Sequence, residues 1–136
     1  MNREQALEYL KRNHRGVLAT LKADGRPQLS NMAYMLDDDG TIKISTTSDR
    51  AKTRNVRRDP RVSLLVLGDN WYQYRVVEGT GRIIDEGVQS ELRRVYEAIA
   101  GKPHPDWQEF DEAMVREQRV ILTITIEKMY PLDRAG

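Results

Sequence analysis

The chain has 136 residues, 39% of them apolar, with 22 basic against 21 acidic side chains and a formal net charge of +1. That length suits one domain over residues 1–136 with a modest core, and so balanced a charge gives no global attraction to nucleic acid or to a membrane surface. Cysteine is absent and the only histidines are His14 and His104, which excludes disulfides, thiolate metal sites and cysteine nucleophiles and leaves too few ligands for a histidine-rich metal centre.

Residues 2–13 read as a first helix, capped by Asn2, with Ala6, Leu7 and Leu10 as its apolar stripe and Tyr9 beside it. The segment has no signal-peptide core and no apolar run approaches membrane-spanning length, so a soluble cytoplasmic protein is expected. Val17–Lys22 and Pro27–Leu36 flank Ala23-Asp24-Gly25-Arg26, a tight turn in which Asp-Gly favours positive φ. The returning strand mixes polar and apolar side chains on both faces. Gln28, Ser30, Met32 and Tyr34 share one face; Leu29, Asn31, Ala33 and Met35 share the other. Such amides and hydroxyls suit either a flat heterocycle bearing carbonyl and N–H groups or a solvated edge strand. Asp37-Asp38-Asp39-Gly40 is a turn that lacks the rest of a calcium loop.

The stretch Thr41–Pro60 carries the strongest chemical signal. Thr41–Ser45 alternates as a half-buried strand, and Thr46, Thr47 and Ser48 crowd its exit. Asp49 stands where a helix N-cap belongs, and Arg50, Lys52, Arg54, Arg57 and Arg58 follow before Asp59-Pro60 ends the helix. Hydroxyls, free backbone N–H groups and cations at one helix start suit a phosphate or carboxylate. Cations in a first turn oppose the helix dipole unless an anion lies between them. A solvated basic helix accounts for the same residues, and neither GxGxxG nor GxxxxGK[ST] occurs.

Val62–Leu67 reads as a central apolar strand, followed by a Gly68-Asp69-Asn70 turn. Trp71, Tyr72 and Tyr74 suit a ligand pocket or a subunit interface. Val76–Ile84 is a long strand whose Gly79 and Gly81 permit a bend. Asp85 is expected to cap a helix over Gly87–Ile99, with Leu92, Val95, Tyr96 and Ile99 facing the core. A last helix, Asp106–Arg116, packs Trp107, Phe110 and Met114. Val120–Glu127 is the final strand, Tyr130-Pro131-Leu132 closes the fold, and the short tail is expected to be loose. Six mostly antiparallel strands with three or four short helices predict a mainly β fold, a six-stranded antiparallel split β-barrel with flanking helices. A barrel so small has little interior, so a large ligand should bind outside it, between subunits.

Four blocks carry a resemblance over nearly the whole chain: GVLATLKADGRPQLSNMAY, SDRAKTRNVRRDPRVSLLV, WYQYRVVEGTGR and HPDWQEFDEAMVREQRVILTITIEKMY. They resemble the pyridoxamine-phosphate-oxidase-like split barrels, and within them the actinobacterial and mycobacterial proteins that use the deazaflavin coenzyme F420. The resemblance implies a homodimer with two cofactor clefts at its interface. It implies that Arg50, Lys52 and Asn55 gather round the cofactor phosphate with Ser45 and Thr46 assisting. It implies that Gln28, Ser30 and Asn31 lie by the ring, with Trp71 near the cleft. The C-terminal basic block of the FMN-dependent oxidases is not found; the chain ends in PLDRAG. The expected activity is hydride transfer from reduced coenzyme F420 to an unsaturated small molecule. No catalytic dyad is apparent, so a proton is expected from solvent, Tyr72 or Tyr74. A deazaflavin carrier with little turnover and an FMN-dependent oxidase of pyridoxamine phosphate are the alternatives.

Overall fold

The computed structural model describes residues 1–132; the expected loose tail falls on residues 133–136, outside them. Seven strands form one sheet: β1 (Arg15–Leu21), β2 (Pro27–Ala33), β3 (Met35–Leu36), β4 (Ile42–Thr47), β5 (Arg61–Leu67), β6 (Tyr74–Ile84) and β7 (Arg119–Tyr130). Helices α1 (Arg3–Arg12), α2 (Ala51–Arg58), α3 (Gln89–Ala100) and α4 (Trp107–Arg116) flank it. The order is β2-β1-β5-β6-β7-β4-β3, with every neighbouring pair antiparallel. The sheet curls until β2 approaches β4, and no ladder joins that pair. The result is the expected mainly β, antiparallel split barrel, open along a seam between β2 and the end of β4.

Two apolar layers hold it. Leu18, Ile44, Leu64, Val77, Leu122 and Ile124 fill the barrel, with Ala6, Tyr9 and Leu10 of α1 packed among them. On the other face of β7, Ile121 packs with Leu92 and Val95 of α3 and Phe110 of α4. Successive strand residues point to opposite faces, so burial of both Ile121 and Leu122 records that β7 is covered on both sides. The bend of β6 falls at a bulge between Glu78 and Gly79. A Cβ on Gly79 would collide with the Thr125 carbonyl, so glycine is required where β6 crosses β7.

Sequence expectation and structure part at three places. The strand expected over Pro27–Leu36 is divided at Tyr34 into β2 and β3, so six expected strands appear as seven segments. Tyr34 is fully buried. Its N–H donates to the His14 carbonyl at 2.9 Å and its hydroxyl to the Leu10 carbonyl at 2.7 Å. Both bonds pull it off the sheet ladder. Asp49 does not cap α2. The N-cap is Arg50, and the Asp49 carboxylate instead accepts from Thr47 Oγ1 at 2.7 Å. Asp85 does not cap α3 either, since Val88 holds that position. Gly87, at φ +67°, turns the chain between them, and Asp85 faces Arg57 at 3.4 Å. Asn2 does cap α1, in a capping box with Gln5.

Helix α3 is tied down by charge as well as by packing. Asp37 accepts from Arg94 of α3 and from Lys43 of β4, each at 2.5 Å. Burial alone would raise the Asp37 pKa; the Arg94 and Lys43 hydrogen bonds outweigh it and hold the carboxyl at about 2. Arg93 pairs with Asp111 of α4. No helix among the described residues is long and apolar enough to cross a membrane.

Tyr34→Phe removes one hydroxyl and strands a buried carbonyl. It should lower stability by about 1–3 kcal/mol in urea unfolding, with the unfolding slope unchanged. A loss within error would show that the Leu10 bond does not hold the β2–β3 break.

Candidate anion site at the barrel seam

The seam places two strand margins opposite each other. Beyond Lys43, β4 pairs only with β7, and β2 pairs only with β1. Asn31, Met32 and Ala33 of β2 therefore face Ser45 and Thr46 of β4 across a hollow of about 270 Å³. Arg50, Lys52 and Arg119 reach it from the loop, from α2 and from β7, and Val95 and Ile99 of α3 form an apolar wall. Register explains Arg119: it lies opposite Thr47 in the β4–β7 ladder, so its side chain starts beside the hydroxyl-rich turn.

That turn is built by local hydrogen bonds. The Ser48 N–H donates to the Gln118 carbonyl at 3.0 Å, and Thr53 Oγ1 donates to the Thr47 carbonyl at 2.8 Å. The first turn of α2 then begins without a side-chain cap and without an acidic residue. Its N-terminal backbone dipoles and its cations lie close together with no acidic side chain in the turn, and the neighbouring Asp49 carboxylate is bonded to Thr47 and acts on Arg50 only through space. Among the described residues, the Arg50 guanidinium and the Lys52 ammonium have no hydrogen-bond or ion-pair partner. Burial lowers the Lys52 pKa, and Arg50 and Arg119 lower it further by repulsion. A half-buried ammonium between two guanidinium groups is a costly arrangement that a bound anion would relieve.

Of the nine residues expected to hold a cofactor, five line this hollow: Asn31, Ser45, Thr46, Arg50 and Lys52. The other four do not. Asn55 is buried in α2, where its Nδ2 donates to Thr20 Oγ1 at 3.1 Å and its Oδ1 accepts from Arg58 at 2.9 Å. Thr20 Oγ1 in turn donates to Gln28 Oε1 at 3.2 Å. Arg58, Asn55, Thr20 and Gln28 thus form one chain of bonds that fastens α2 to β1 and β2. Ser30 Oγ is buried without a partner. Trp71 is 84% exposed on the β5–β6 turn, beside Tyr72. Arg119, Val95 and Ile99 were not anticipated, because their approach depends on the β4–β7 register and on where α3 lands. No group of three His, Cys, Asp or Glu among the described residues is placed to hold a metal ion.

The model of the pyridoxamine 5'-phosphate oxidase family matches residues 3–133. The chain belongs to that family. Among solved structures, a conserved hypothetical protein of Mycobacterium tuberculosis is 28% identical, with a TM-score of 0.78 over 100% of this chain and 92% of its own. A protein named F420 reductase is 26% identical, with a TM-score of 0.70 over 90% of this chain and 94% of its own. At 23% identity, a Listeria innocua protein named for pyridoxamine 5'-phosphate oxidase shares the fold, with a TM-score of 0.67 over 93% of this chain and 94% of its own. The fold is thus that of an enzyme family of flavin-binding split barrels.

The unrelieved cations generate a prediction with two opposite signs. The folded pKa of Lys52 lies below its unfolded value, so the unfolded chain binds more protons between the two and stability rises with pH through that window. Lys52→Met should abolish that slope and stabilise the anion-free protein by about 0.5–1 kcal/mol, while weakening inorganic phosphate binding. Thermal melts across pH, with and without phosphate, measure both. A variant that is less stable and binds phosphate normally contradicts this account.

Proposed function

We propose that this chain is a cytoplasmic, homodimeric oxidoreductase that uses coenzyme F420. It would transfer a hydride from the reduced cofactor to an unsaturated small molecule. The observation that carries the reading is the pair of unpartnered cations, Arg50 and Lys52, at a seam edged by polar groups of β2 and β4. The likeness to an F420 reductase over nine-tenths of the chain supports it.

The donor set fits the cofactor's anionic end. Arg50 and Lys52 would hold its phosphodiester, with Ser45 and Thr46 as hydroxyl partners and Arg119 adding a third cation. Asn31 offers an amide beside Met32, where one edge of a flat heterocycle meets a polar side chain and its face an apolar one. Gln28 and Asn55 enter as supports, holding β2 and α2 at the spacing the ligand needs. Ser30 keeps an unspent hydroxyl on the strand that carries Asn31. When bound, the deazaflavin supplies the hydride. The protein's part is to orient the acceptor and exclude water from the seam. The acceptor's double bond gains that hydride at one carbon and a proton at the other. Tyr72 and Tyr74 are exposed, so solvent is the simplest proton source.

The homodimer is part of this proposal. Trp71, Tyr72 and Tyr74 form an exposed aromatic surface, and Leu29 is exposed on edge strand β2, which are features that a partner subunit would cover. Trp71 would then approach a cleft completed by two chains. The family match favours a second reading, an FMN-dependent oxidase of pyridoxamine phosphate.

Parallel titrations with coenzyme F420 and FMN, followed by substrate-dependent oxidation of the reduced cofactor, test the proposal. Coenzyme F420 should bind more tightly, and Lys52→Met should cost about 2–4 kcal/mol of that affinity. Tight FMN binding with none for F420 selects the oxidase. F420 binding with no turnover against a panel of conjugated acceptors selects a carrier.

A further inference from the structure

The anion hollow has a neighbour. Between the N-terminal end of α3, the C-terminal end of α4 and the start of β7 lies a larger hollow of about 700 Å³, walled by Val88, Leu92, Met114, Val115 and Val120. A smaller apolar cleft of about 200 Å³ shares Leu92 and Met114 with it, and shares Ser45, Val95 and Ile99 with the anion hollow. Arg119 lines both the anion hollow and the larger one. Its Nε donates to Glu117 at 3.0 Å and its Nη2 lies 3.0 Å from the same oxygen. Its Nη1 is left without a protein partner among the described residues. Asp85 and Asp111 on the rim are already paired, with Arg57 and Arg93. Val115 is 79% exposed at the mouth, although it sits on the side of α4 that faces the hollow.

We propose that the hollow between α3 and α4 is a second binding compartment, which takes the apolar body of a small organic carboxylate whose acid group lies between Arg119 and Lys52. The charge complementarity is specific. One end of this row of adjoining hollows carries Arg50 and Lys52, which have no hydrogen-bonded or ion-paired acid among the described residues, beside an Arg119 whose Nη1 is free, and the other carries aliphatic walls whose carboxylates are already paired. An inorganic anion would leave the apolar end empty. A neutral hydrocarbon would leave the cations unrelieved. An amphipathic acid satisfies both. The inference concerns the cofactor-free protein and does not require the cofactor reading: it gives the acid the Lys52 and Arg119 which that reading gives to the phosphodiester, so the two ligands would exclude each other there.

Calorimetric titration with butanoate, octanoate and dodecanoate, each below its micellar concentration, tests it. Between butanoate and octanoate the affinity should rise about fourfold per methylene, the value for burying a CH₂ group. Arg119→Gln should weaken all three about tenfold and leave the chain-length dependence intact, and Arg119→Lys should restore part of the loss. Val115→Glu, at an exposed helical position that the fold tolerates, should weaken octanoate and dodecanoate at least tenfold and spare butanoate. Equal affinity for all three acids overturns the proposal, because it leaves an anion site with no apolar compartment. So does a chain-length dependence that both Arg119→Gln and Val115→Glu leave untouched, which would put the chains on another surface such as that around Trp71. The series on the unmodified protein is decisive even if a variant fails to fold.

Discussion

The break at Tyr34 is the constraint on which the site depends. An antiparallel sheet that curls this far would ordinarily close by pairing its two edges, since unpaired strand edges are unfavourable. Here β2 and β3 are consecutive in the chain yet lie at opposite edges of the sheet, so the segment between them must bridge the gap. Tyr34 does so with its backbone bonded to His14 and its hydroxyl bonded to Leu10. Those two anchors belong to the end of α1 and the residue before β1, both fixed by the core. The seam therefore cannot zip shut without tearing a buried tyrosine out of its site. A gap that is costly to close is a permanent place for a ligand.

What surrounds the gap divides into polar groups whose bonding capacity is used and groups whose capacity is free. Arg58, Asn55, Thr20 and Gln28 are used: each bonds the next, and together they fasten α2 across two strands. Arg50 and Lys52 have no hydrogen-bonded or ion-paired partner among the described residues, and half-buried Lys52 sits where burial and repulsion from Arg50 and Arg119 make that expensive. Folding alone would favour an acidic residue in the first turn of α2, and none is there. Asp49, the one candidate, is turned away onto Thr47. Stability given up at one spot, in a fold otherwise well satisfied, is how a binding site differs from a structural polar cluster.

Much of this was legible in the sequence. Period-two patterning marked the strands, Asp24-Gly25 the hairpin, and Asn2 and Asp106 the starts of α1 and α4, because those signals are local. The crowding of hydroxyls and cations between Ser45 and Lys52 was equally local, and the structure keeps them together. What could not be read depends on tertiary placement. Asn55 and Gln28 have the same chemistry whether they face a ligand or Thr20, and it is the packing of α2 on β1 that brings both to the Thr20 hydroxyl. Asp85 has a capping side chain, but a left-handed Gly87 moves the helix start beyond its reach. Arg119 opens an ordinary amphipathic strand, and its partnership with Lys52 exists only because Thr47 and Arg119 fall in register.

The same register has a wider consequence for how this fold acquires specificity. Strand β7 borders both hollows. Its first residues edge the anion hollow and the larger compartment, its middle packs against α3 and α4, and its opposite face fills the barrel. A one-residue slip of β7 would exchange its two faces and carry Arg119 away from Thr47. Burial on both faces makes that slip prohibitive, because Ile121 and Leu122 occupy different, fully packed surroundings. The backbone that carries the cation is therefore positioned by the hydrophobic core, and the bond to Glu117 only orients the guanidinium. Variation in α3 and α4, which only cap this arrangement, can then alter the compartment's shape and leave the charge where it is. A family that keeps the barrel while diversifying what it binds would be expected to vary there, and to hold the β4–β7 ladder fixed.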